Sequence, residues 1–111
     1  MKKLYKIKSV EKEYSCYLMK GQYFYDKSLA LVFYEDEDYS PYGTLTVCLE
    51  GAELTNDYSA FVDVNNWPDI ENFIKENNLG EPTGRKIKSG YVVYPEYTFN
   101  KDIVDNIPFI D

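Results

Sequence analysis

Residues 29–49 read LALVFYEDEDYSPYGTLTVCL, and the fold turns on how this stretch is read. In its first run Leu29, Leu31 and Phe33 share one side of an extended chain. In its last, Leu45, Val47 and Leu49 alternate with Thr44, Thr46 and Cys48. Successive strand side chains point to opposite sides, so each run presents one apolar face, and the two runs are predicted to pair antiparallel. Between them, Ser40-Pro41-Tyr42-Gly43 places proline where a type I turn needs a fixed φ, with serine before it and glycine last. Glu35, Asp36, Glu37 and Asp38 are then expected on a long, solvated hairpin connection.

Toward the N-terminus, Leu4 to Val10 and Tyr14 to Met19 mix polar and apolar residues at near-alternating spacing, as half-exposed strands do, and Lys20-Gly21 reads as a turn. Toward the C-terminus, residues 65–80 predict a short helix. Asn65 or Asn66 caps it, Pro68 suits its first turn, and Gly80 supplies the left-handed exit. Trp67, Ile70, Phe73 and Ile74 fall on one stripe that packs on a sheet. Residues 81–90 read as a glycine-punctuated basic loop. Tyr91 to Phe99 reads as a strand that Pro95 makes short, bent or peripheral, and Asn100 starts a final turn or two through Ile103 and Ile107. The fold class is α+β: a mostly antiparallel sheet of about five strands with one principal helix packed on a face, in a single domain spanning residues 1–111.

A chain of 111 residues is long enough for one core, and its 17% aromatic content, including twelve tyrosines, argues against disorder. The net charge of −7 is unevenly spread: residues 1–25 carry +4, residues 26–81 carry −11, and the remainder balances. Such a field favours a basic protein partner, and no direct DNA binding is expected. The sequence contains no apolar run of membrane-spanning length and no signal-peptide pattern, so no membrane partner is assigned and a cytoplasmic location is expected. Cys16 and Cys48 lie within strand patterns and read as reduced, packed thiols.

Catalytic chemistry finds little support. Histidine is absent, which removes the commonest general base and metal ligand. Gly80, Gly84 and Gly90 fit no phosphate-binding motif. Asp63, Asn65 and Asp69 could supply oxygens to a hard cation, but Pro68 stands where a calcium loop needs glycine, so helix capping accounts for them. Glu35 and Asp38 as an acid pair would repel each other and stay hydrated, the reverse of the burial that raises a catalytic carboxyl. Arg85, Lys86 and Lys88 make a small cationic footprint that suits a solubilising loop or docking onto the acidic hairpin. No catalytic residue, metal ligand or cofactor is assigned, and the chain is expected to be no enzyme.

The remaining signal concerns binding. The acidic run reads either as a hydrated loop that discourages edge-to-edge aggregation, or as part of a negative face with Glu50, Glu53 and Asp57 that occupies a nucleic-acid groove on another protein. Tyr39 and Tyr42, with Tyr58, add rigid amphipathic contact area to that face.

The segments YGTLTVCL (42–49), FVDVNNWP (61–68), GEPTGR (80–85) and SGYVVYPEYTF (89–99) resemble a family of small uncharacterised bacterial proteins frequent on plasmids, phages and conjugative elements. The resemblance covers about half of the chain. Cys48 stands where asparagine is frequent in that family, which implies a position not held for catalysis. Small acidic proteins of such elements include many anti-CRISPR proteins, so the resemblance implies an inhibitor that binds a basic partner such as a Cas9-like nuclease or its guide complex. The alternative expectation is a non-catalytic structural or regulatory module of a mobile element, with a homodimer as one of its forms.

Overall fold

A computed structural model describes residues 3–8, 12–24 and 26–110. Among these residues the chain forms two four-stranded antiparallel sheets and two short helices around one core. Strands β1 (Leu4–Lys8), β2 (Glu13–Gln22), β3 (Leu29–Glu35) and β4 (Pro41–Thr44) make the first sheet in that order. The second sheet runs β5-β6-β8-β7, built from β5 (Thr46–Val47), β6 (Ser59–Val62), β7 (Gly80–Ser89) and β8 (Val92–Phe99). Helix α1 (Ile70–Glu76) links β6 to β7, and α2 (Lys101–Asn106) follows β8. The α+β character holds, but with two sheets where one was expected and eight strands where about five were, and the final turns expected after Asn100 form a second short helix. The predicted strand from Leu4 ends at Lys8, and Ser9 and Val10 lie outside the described residues.

β3 forms an antiparallel hairpin, but with residues 41–44 in place of the predicted 44–49 run, of which Thr44 alone enters that strand. β3 and β4 pair through Val32↔Thr44, Phe33↔Gly43 and Tyr34↔Pro41, so the Ser-Pro-Tyr-Gly stretch enters a strand and the acidic run itself reverses the chain. The Glu35 and Tyr39 N–H groups donate to the Ser40 and Glu35 carbonyls, both at 2.9 Å. Tyr39 takes the left-handed conformation with φ 56°. The Asp38 carboxylate accepts from the Ser40 N–H at 3.0 Å and its hydroxyl at 2.6 Å. These local side-chain bonds outcompete the preference of proline for a turn, and Pro41 is accommodated as the first residue of an edge strand.

Past Thr44 the chain changes sheets. Leu45 is fully buried, its N–H donating to the Leu31 carbonyl, and Thr46 then pairs with Val62 in the other sheet. The run predicted as one strand is thus cut at Leu45, whose side chain joins the core between the two sheets.

That core takes Tyr5, Ile7, Cys16, Leu18, Leu31 and Phe33 from the inner face of the first sheet and Ala60, Val62, Tyr97 and Phe99 from the second. The helical stripe closes it as predicted. Phe73 meets Phe33 edge-on at 5.6 Å and Trp67 at 4.9 Å between ring centroids. The ends of α1 differ from expectation. Asp69, and neither Asn65 nor Asn66, occupies the N-cap position, and its side chain makes no capping bond. Asn78, with φ 53°, replaces Gly80 as the left-handed residue; its N–H donates to Lys75 and that of Leu79 to Ile74, the pattern of a Schellman motif. Gly80 is instead demanded by space, since a Cβ there would sit 2.5 Å from the Thr98 carbonyl oxygen.

Residues 81–90, expected as a loop, form most of β7. A bulge between Pro82 and Lys86 absorbs the proline and Gly84, whose φ is 91°, and an edge position tolerates the polar composition. Pro95 lies in an interior strand, but just beyond Glu96, the last residue that β6 pairs with, so no third-strand ladder is broken. Lys20-Gly21 is no turn. It lies within β2, where the Lys20 N–H donates to the Pro108 carbonyl and the Ile110 N–H to the Lys20 carbonyl. The C-terminal segment thereby takes the place beside β2 that β1 leaves open past Tyr17.

Candidate functional site

The β3–β4 turn holds Asp36, Glu37 and Asp38 in the open at the end of the first sheet. The Asp36 N–H donates to the Ser15 carbonyl at 2.9 Å, which ties the turn to β2. Tyr39, 48% exposed, stacks on Tyr17 with centroids 5.7 Å apart and planes 16° from parallel. Hydrogen bonding to Asp36, then partial burial and the charge of that carboxylate, raise the pKa of the Tyr17 phenol. Hydrogen bonds from the Ser40 hydroxyl and N–H lower that of Asp38. The ion pairs among the described residues, Lys6–Glu13, Arg85–Glu96 and Lys101–Asp105, leave Glu35, Asp36, Glu37 and Asp38 without a cationic partner. Three carboxylates on a braced turn beside a stacked phenol pair can attract a cationic surface and offer it a rigid aromatic anchor.

The other predicted residues do not all join this cluster. Glu35 pairs in register with Cys16 on the inner side, half-buried, and accepts from the Ser40 hydroxyl at 3.1 Å. Tyr42 falls at the bulge in the β3–β4 pairing, which swings it inward against Tyr14 at 4.7 Å, beside the cleft bordered by Trp67. Glu50, Glu53 and Asp57 belong to the connection between β5 and β6, at the opposite end of β3, where Asp57 lines a groove of about 850 Å³ with Asp26 and Leu29. The length of β3 puts about 20 Å between the two acidic groups. The expected single negative face is therefore two separate regions. Tyr58 is engaged internally, its hydroxyl donating to Asp105 at 2.7 Å.

A second carboxylate site escaped the sequence reading. Glu96 is fully buried, yet it accepts from the Thr55 N–H (2.8 Å), the Thr55 hydroxyl (2.6 Å), the Thr83 hydroxyl (2.7 Å) and the Arg85 guanidinium (3.1 Å). Burial works against its charge, but the threonine hydrogen bonds and the guanidinium outweigh it, and the carboxyl pKa lies below its usual value. Thr83, Arg85 and Glu96 come from the GEPTGR and YPEYTF segments, which read separately as loop and strand. Arg85 is thus committed to an internal pair.

Cys16 is buried, and burial with the nearby Glu35 charge pushes its thiol up to about 11. Cys48 Sγ sits 3.6 Å from an Asp26 carboxylate oxygen, and both cysteines are free thiols. Asp63 and Asp69 are taken up by Asn66 and Asn72, at 2.8 Å and 2.7 Å. Among the described residues no group of three or more Cys, Asp or Glu side chains is arranged to hold a metal ion, and no helix is long and apolar enough to cross a membrane.

Comparison with curated proteins and with solved structures finds no match. A family model does match over residues 17–107, a span that holds both carboxylate sites and most of the core. The chain belongs to the family described as "Domain of unknown function (DUF4313)".

Proposed function

We propose that this protein is a non-catalytic inhibitor of the anti-CRISPR type, which presents the β3–β4 turn to the nucleic-acid groove of a basic partner such as a Cas9-like effector or its guide complex. The observation that carries the reading is the exposed run Asp36, Glu37 and Asp38, in no ion pair among the described residues and braced by the Tyr17–Tyr39 stack. A nucleic-acid groove is lined by cations that expect closely spaced anions, and three successive carboxylates offer such charges on a protein scaffold. Stacked phenols add contact area that screening by salt does not weaken. Glu50, Glu53 and Asp57 stand outside this contact, and Tyr42 faces away from it.

The test replaces Asp36, Glu37 and Asp38 with Asn, Gln and Asn, which keeps the acceptor that holds Ser40. Binding to a purified Cas9-like effector, and to basic proteins captured from a nuclease-treated bacterial lysate, should fall and lose most of its salt dependence. Equal binding by a well-folded triple variant overturns the reading.

A further inference from the structure

We propose that the protein self-associates by seating the β7–β8 ribbon of one copy on the outer face of the first sheet of another. The ribbon tip is exposed, and the outer face lies on the side of the first sheet away from the clustered core. On the outer face, Leu4, Tyr17, Tyr34 and Pro41 stand in register across all four strands, and Met19, Val32 and Thr44 form the next row. The clustered core residues of this sheet lie on its other side, Ala30 is buried on the outer side beside Gly21, and Leu4, Tyr17, Met19, Val32 and Tyr34 neither belong to that cluster nor pack against it. Tyr39 extends the first row by stacking on Tyr17. The face therefore presents aromatic and aliphatic side chains, Leu4 exposed and Tyr17, Met19, Val32 and Tyr34 half-buried, rimmed at one end by Asp36, Glu37 and Asp38.

The ribbon offers the complement. From the Lys86↔Pro95 pair outward, β7 and β8 have no third strand, because β6 pairs only with residues 96–98 of β8. Tyr91 at the tip is fully exposed (102%) and Val93 is 50% exposed. Lys88 pairs with Val93 and Lys86 with Pro95, so both lysines flank Val93 on one side of the ribbon. No ion pair among the described residues engages either lysine. Pro82, the bulge and the lysines guard the free backbone edge of β7 against strand addition, which leaves side chains as what the ribbon presents. Tyr91 and Val93 supply the apolar contact to the tyrosine row while Lys86 and Lys88 meet the acidic rim. Two copies that exchange ribbons close a pair, and one-way contacts run on into longer assemblies.

The inference shares the acidic turn with the proposed function but adds Tyr91 and Val93, which that reading does not use. Sedimentation or light scattering of the purified chain decides it. At low salt the weight-average mass should climb above 13.0 kDa with concentration and return to it as salt is raised. Tyr91→Ser with Val93→Thr should abolish the rise, as should Asp36→Lys with Glu37→Lys. Mixing those two defective chains should restore a complex, because each retains the surface the other lacks. A wild-type chain that stays at 13.0 kDa throughout, or a mixture that fails to recombine, overturns the proposal. Partner capture by the Tyr91→Ser/Val93→Thr chain is run alongside: retained capture with lost self-association supports the proposal, and simultaneous loss of both counts against it.

Discussion

Two carboxylate sites in this molecule use one side-chain chemistry in opposite ways. Glu96 is sealed from water, and four hydrogen bonds, one of them from Arg85, compensate its charge. Asp36, Glu37 and Asp38 stand in solvent and enter no ion pair among the described residues. The buried acid is a joint: it fastens the β5–β6 connection, through Thr55, to the bulge of β7, through Thr83 and Arg85. The exposed acids fasten little besides their own turn. Loss of the first should therefore appear as stability, and loss of the second as binding.

The largest effect is expected from Glu96→Ala, which strands Thr55, Thr83 and Arg85 without their acceptor. Unfolding in urea should show a loss of about 3 kcal/mol, limited because the half-exposed guanidinium can rehydrate. A loss under about 1 kcal/mol would mean that water substitutes freely and the joint is no joint. Acid titration sharpens the same point. The Glu96 pKa is lowered in the folded chain, so its stabilisation is complete above the unfolded value of about 4.3 and disappears as pH falls through the folded value. The Glu96→Gln chain should lose that part of the acid-side slope.

Next in size is Gly80→Ala, where the added Cβ would meet the Thr98 carbonyl at 2.5 Å; a cost of about 1–3 kcal/mol is expected, read as a lower urea midpoint with unchanged slope. Thiol labelling offers a check without mutation. Cys48, the less buried of the two, should react first, and Cys16 only at the rate of unfolding. The smallest effect belongs to Asp36→Asn with Glu37→Gln, within about 0.5 kcal/mol of wild type by thermal melting. A larger loss would erase the contrast between the two sites.

The residues that announced themselves did so through periodicity. Leu29, Leu31 and Phe33 could be placed on one face, and Trp67, Ile70, Phe73 and Ile74 on one stripe, because burial on one side leaves a regular spacing. β7 left no such trace. It is an edge strand of glycine, proline and lysine, held by the backbone of β8, and its composition is that of a loop. The sheet change at Leu45 was equally silent, since Leu45, Val47 and Leu49 keep their alternation across it. The acidic turn was legible as exposed, yet its bracing by Tyr17 was not, because that tyrosine comes from another strand. For Glu96 a partial signal existed: Tyr97 and Phe99 face the core, so Glu96 and Thr98 must face away. Only the fold reveals that the β5–β6 connection covers that side.

The place where the chain crosses between sheets also limits how far a disturbance spreads. Leu45 anchors the end of the β3–β4 hairpin in the core, and the turn at residues 36–39 lies at the far tip, where its backbone and Asp38 hydrogen bonds among the described residues run to Glu35, Ser15 and Ser40. The tip is thus a replaceable cassette. Other four-residue loops that keep a left-handed residue at position 39 can be grafted there, and the scaffold can be retargeted without rebuilding its interior.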